Sequence, residues 1–199
     1  RQVAGAFDWA SATNRIEAEA IVGEIARHAA SGSRASLGVI AMTMQQRDLI
    51  RRLVAERDLD LSRITGGEGL LIADYNGIQG EERDVILVGM TFGPRPGEAA
   101  WPTSFGALSL PGGEKRPNVI MTRARERMLL VTSFPKAAIA ASRAPAHANL
   151  FAYMACADRP FQDTPDPHEG VLATVFFENA WRAMNLGNSV GAFDPDLGE

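Results

Sequence analysis

Apolar positions recur along the first two thirds of the chain in two rhythms. Across 14–30, Ile16, Ala20, Ile21, Ile25 and His28 fall at helical spacing, and Asn14 is the kind of residue that caps a helix start. Ser31, Gly32 and Ser33 stop that run. A short apolar stretch at 37–42 reads as a buried strand. A second helix, 45–56, carries Leu49, Ile50, Leu53 and Val54 as its inner stripe. Strands are predicted at 70–73 and 85–90, separated by a polar loop over 74–84. Prolines and glycines over 91–116 predict a long irregular connection. A short helix from Pro117 to Arg125 then leads into a strand at 128–132. Proline suits a first helical turn, where its missing N–H is not needed.

Short apolar strands alternating with amphipathic helices predict an α/β fold, a mostly parallel sheet with helices on both faces. An Ala-rich helical stretch, 136–157, is interrupted at Pro145. Residues 158–170 hold three prolines and four acids, a linker composition, and a last amphipathic helix is predicted over 171–184. The organisation expected is therefore one domain over 1–157, a linker over 158–170, and a helical extension or the start of a further domain over 171–199.

Composition narrows the function classes. Of 199 residues, 46% are hydrophobic and 22% charged, the balance of a globular chain and not of a disordered one. The net charge of −4 excludes nucleic-acid binding by bulk positive charge, though not by local patches. No apolar run reaches the roughly 18 residues of a membrane span. Cys156 is the single cysteine, so disulfides within the chain are impossible and a reducing, cytoplasmic setting is expected. His28, His147 and His168 lack metal-ligand spacing. The chain opens on Arg1, with no charged-then-apolar leader; a piece of a longer protein, without a signal peptide, is the expectation.

Several familiar site signatures are missing. There is no G-x-x-x-x-G-K-[ST] phosphate loop. Gly66-Gly67-Glu68-Gly69 precedes a strand instead of following one, so it is no dinucleotide fingerprint. No G-x-S-x-G elbow occurs.

Two segments carry chemistry. The loop from Asn76 through Gln79, Gly80, Glu81 and Glu82 to Asp84 follows a predicted strand, where open α/β folds place ligands. Gly80 beside Gln79 permits close backbone approach, and the glutamates can accept from ribose hydroxyls. A solvated turn fits the same residues. So does a divalent-metal site on Asp74, Glu82 and Asp84, although nothing in the spacing holds those three together. The second segment, 112–127, holds five cations and two acids, a local +3 in an acidic chain. Guanidiniums suit phosphate oxygens. On a helix Arg116 and Arg123 share a face, with Arg125 about 200° from Arg123. A basic solvated face is the competing reading.

The run Gln79-Gly80-Glu81-Glu82-Arg83-Asp84-Val85-Ile86, followed by Arg116-Pro117-Asn118-Val119-Ile120-Met121-Thr122-Arg123-Ala124-Arg125, resembles motifs V and VI of superfamily 1 helicases of the Upf-like branch. Upstream, 38–48 is similar to motif IV, and 14–20 to the N-x-x-E-A helix before it. The resemblance covers roughly residues 14 to 134. It implies a second RecA-like motor domain with no phosphate loop of its own. ATP and Mg²⁺ would then bind against a first RecA-like domain, which supplies the phosphate-loop lysine and the metal ligands. Arg123 matches the arginine finger, Glu82 the acid near the ribose, and Gln79 and Gly80 line the same edge, with Arg116 also on the nucleotide. Thr43 and Asn76 are implied contacts to single-stranded DNA or RNA. Asn76 stands where family members often carry an acid. A docking module without turnover, and a free-standing Mg²⁺-dependent phosphohydrolase, are the alternatives.

Overall fold

The computed structural model describes residues 7–64, 68–93, 106, 119–120 and 122–132, together with the backbone of 173–178. Chain order runs β1 (Phe7–Asp8), β2 (Thr13–Asn14), α1 (Arg15–Ala30), β3 (Leu37–Ala41), α2 (Met44–Glu56), β4 (Leu70–Asp74), β5 (Arg83–Gly89), β6 (Ala124–Thr132) and β7 (Ala173–Glu178). Strands β1 and β2 form a small antiparallel hairpin. The main sheet has the order β4-β3-β5-β6-β7. Its first four strands are parallel, and β7 pairs antiparallel at the β6 edge. This is the mostly parallel α/β sheet of a RecA-like fold.

Both long helices start where a side chain captures a free N–H. Asn14 accepts from Glu17 N, and Thr43 accepts from Gln46 N at 3.1 Å, which satisfies a donor the first helical turn leaves open. At the far end of α1, Ser31 donates to the His28 carbonyl through both N–H and hydroxyl, and Gly32 turns the chain at φ +73°. His28 Nε2 donates to Ala35 O at 2.8 Å and pins that turn.

Strand pleating sorts the core into two layers. Leu37, Val39 and Ala41 of β3, Val85 and Leu87 of β5 and Leu129 and Val131 of β6 pack against Ile21, Ile25, Ile50 and Leu53 of the two helices. The alternate residues Ile40, Ile86, Val88, Met128 and Leu130 face the other way, onto Phe7, Ile78, Phe92 and Ile120. Among the described residues both long helices therefore lie on one face, and the opposite face is covered by the hairpin, the 75–82 crossover and residues near 120. All five β3 residues are buried, as a central strand with both faces covered requires. Burying side chains the size of Leu37, Val39 and Ile40 contributes roughly 1.5–3 kcal/mol each.

Two expected helices are not as the sequence pattern suggested. Of the described residues in 117–125, 119–120 are helical, Thr122 and Arg123 turn, and β6 already starts at Ala124. The reason is tertiary: Arg83 N donates to Arg123 O at 3.1 Å and opens the β5–β6 ladder with Arg83 opposite Ala124. The helical angle between Arg123 and Arg125 consequently does not apply. At 173–178 the chain is the strand β7, not part of a helix. Its sequence Ala-Thr-Val-Phe-Phe-Glu is rich in β-branched and aromatic residues, and β6 offers it an edge. The Ala-rich stretch and the linker lie outside the described residues.

Candidate functional site

A parallel sheet has two chemically different ends, and the sequence candidates divide between them. The carboxyl ends of β3 and β5 form the crevice where open α/β folds usually take a ligand. Here it is filled from within. Glu17, fully buried on α1, accepts from Thr91 N through both carboxylate oxygens at 2.7 and 2.9 Å. Gln46, equally buried, clamps Asn14: its Oε1 accepts from Asn14 N at 2.8 Å and its Nε2 donates to Asn14 O at 2.9 Å. Thr91, at φ +65°, accepts through its hydroxyl from Met42 N. Burial pushes the Glu17 carboxyl up to about 8, against the Thr91 N–H and Gln46, which favour the charged form.

Thr43 and Asn76 sit at this carboxyl end. The Thr43 hydroxyl is engaged internally, donating to Ala12 O at 2.9 Å while it caps α2. Asn76 is exposed, two residues beyond the end of β4. Between them the buried Asp74 pairs with Arg47 at 3.2 Å. Asp74 and Asp84 therefore occupy opposite ends of parallel strands, and among the described residues no acidic or histidine cluster is disposed to hold a metal.

The amino end gathers the rest. Glu81 N donates to Ile78 O at 3.1 Å, and Gly80 takes φ +82°, so a tight turn anchored by buried Ile78 leaves Gln79, Gly80 and Glu82 exposed. Glu82 immediately precedes Arg83, whose N–H bonds the carbonyl of Arg123. Arg123 is half-buried. Its Nε donates to Val119 O at 2.9 Å and its Nη2 to Thr122 Oγ1 at 3.0 Å. Among the described residues no carboxylate forms an ion pair with it. Arg125, two residues on, is committed: it pairs with Glu68 and, at 3.2 Å, with Asp84, and donates to Ser36 Oγ. Partial burial works against ionisation of Asp84, but the Ser36 N–H and hydroxyl, Arg125 and Arg83 outweigh it and hold the carboxyl below its usual range.

The tertiary structure thus unites Gln79, Gly80, Glu82 and Arg123 on one edge and sets Thr43 and Asn76 at the other end of the sheet. Arg116 lies outside the described residues. Residues 2–134 match a family described as an AAA domain, AAA_12. The chain belongs to this family. It is also 30% identical over 131 residues to an uncharacterized ATP-dependent helicase of Mycoplasma genitalium, MG140, and to the MG140 homolog of Mycoplasma pneumoniae. Each match covers 61% of the chain but 11% of the relative's length, so the chain spans about a tenth of these relatives. Among the described residues of this AAA domain, no helix is long and apolar enough to cross a membrane.

Sequence reasoning missed two features. A single arginine among acids reads as a surface charge, and nothing in the sequence signals that Arg83 is buried. The Glu17–Thr91 contact joins residues 74 positions apart. The N-x-x-E spacing at 14–17 signalled the cap, but nothing in it signalled the partner two residues beyond β5.

Proposed function

We propose that this AAA domain is the second motor domain of an ATP-dependent helicase or translocase acting on DNA or RNA, with Arg123 as the arginine finger that completes the ATP site. The observation that carries the reading is the amino-end edge: an arginine without a carboxylate partner among the described residues, beside an exposed Gln79-Gly80 turn and Glu82. A guanidinium left uncompensated at a surface turn is available to a phosphoryl group. Reaching it across a cleft from a separate domain couples charge stabilisation in the transition state to cleft closure. Glu82 and Gln79 would face the ribose, and Arg116 the phosphates. ATP and Mg²⁺ would be held chiefly by a first RecA-like domain of the same protein. Single-stranded DNA or RNA would cross the opposite, carboxyl end near Thr43 and Asn76, so nucleotide and nucleic acid do not compete for one surface. The names of the relatives support the ATP-dependent helicase class of this reading.

The test is single-strand-stimulated ATPase of the full-length protein, wild type beside Arg123→Ala. A fall on the order of 10³ in turnover with nucleotide binding largely kept is expected for a finger; equal rates would reject the assignment.

A further inference from the structure

Arg83 opens β5 with only 7% of its surface exposed, and its bonds reach three separate stretches of chain. Nη1 donates to Glu82 O at 2.6 Å and pairs with Glu81 at 3.1 Å. Nη2 donates to Glu68 O at 3.4 Å. Its backbone N–H donates to Arg123 O at 3.1 Å. The neighbouring strand makes room for it, since a Cβ on Gly38 would stand 3.1 Å from Arg83 Cγ.

As a stability device this is poorly arranged. Arg83 Nε is buried with no hydrogen-bond partner, and burying a guanidinium incompletely paired is unfavourable where an apolar chain of similar length would fill the space. Its guanidinium bonds hold the Glu81–Glu82 end of the turn that carries Gln79 and Gly80, whereas the bond to Arg123 comes from its backbone N–H, which any residue at 83 supplies. We infer that Arg83 is a positioning residue for nucleotide binding: its guanidinium ties the Glu81–Glu82 end of the turn to the Glu68 carbonyl and holds that turn in place before ATP arrives. Ordering a recognition turn in advance lowers the cost of binding and shows as affinity, not as a faster chemical step. This inference rests on the nucleotide edge proposed above.

The experiment measures kcat and KM for ATP with single-stranded DNA, and thermal unfolding, on the full-length wild type, Arg123→Ala, Arg83→Met and Arg83→Lys. Equal rates for wild type and Arg123→Ala would reject the edge itself and this inference with it. With a collapse in Arg123→Ala, Arg83→Met is expected to raise KM about tenfold or more while kcat at saturating ATP stays within about threefold and the unfolding temperature is kept. Arg83→Lys, which retains charge but not the fork, is expected to fall between. An unchanged KM in a folded Arg83→Met overturns the role. Should that variant fail to fold, Arg83→Lys decides: a raised KM supports the role and an unchanged KM overturns it.

Discussion

Gly89 on β5 is what lets Glu17 on α1 reach the sheet. A Cβ at Gly89 would stand 2.8 Å from Glu17 Oε1 and 2.7 Å from Ile21 Cδ1, both inside the closest approach of real atoms. With hydrogen there instead, the carboxylate lies against the end of the strand and takes the Thr91 N–H. Gly89→Ala is therefore expected to destabilise the fold by roughly 1–3 kcal/mol through overpacking. Urea unfolding checks this; an unchanged midpoint would mean that α1 moves aside freely.

Glu17 also makes stability depend on pH. Its folded carboxyl titrates at about 8, against 4.5 as the ordinary value. The folded state thus holds a proton that the unfolded state releases. The contribution is complete below about 4.5 and is lost as pH rises towards 8, at a slope of up to about 1.4 kcal/mol per pH unit. Glu17→Gln keeps an acceptor for Thr91 N and has nothing to ionise. Its unfolding free energy is expected to be flatter than wild type between those values and higher at the alkaline end. Parallel profiles for the two proteins would show that Glu17 does not titrate there.

The Gln46–Asn14 clamp predicts a loss of a different kind. Truncation in Gln46→Ala leaves the buried Asn14 N–H and carbonyl without these partners. Losing the buried Gln46 bonds is expected to cost roughly 1–3 kcal/mol. Denaturant unfolding with an unchanged m-value would place the effect in the native state.

Thr43 and Asn76 should separate stability from nucleic-acid binding. Thr43→Ala removes a helix cap and is expected to cost about 1 kcal/mol. Asn76→Ala alters an exposed turn residue, and its stability is expected within about 0.5 kcal/mol of wild type. Fluorescence anisotropy with a labelled single strand, on the full-length protein, tests the contact: weaker binding by Asn76→Ala without loss of stability is the expected result. Unaltered binding would remove Asn76 from the interface.

What was legible in the sequence was local. Asn14 and Thr43 mark helix starts because capping is settled within three residues, and the apolar stripes of α1 and α2 follow from helical periodicity. The strands β3, β4 and β5 stand out because a parallel strand buried on both faces is a continuous apolar run. The stretch 122–125 misled because its spacing suits a helix equally well. Only the N–H of Arg83, arriving from another part of the chain, makes Ala124 the start of a strand.

The sequence by itself determined the α/β class and the identity of the residues able to do chemistry, since those depend on side-chain type and short-range spacing. Tertiary structure alone decided which of them meet. Parallel strands carry the end of one segment and the beginning of the next to opposite edges of the sheet, so Asp74 and Asp84 part while Glu82 and Arg123, far apart in sequence, come together. It also decided that Glu17 meets the Thr91 N–H, because α1 and the end of β5 lie together only after both have packed.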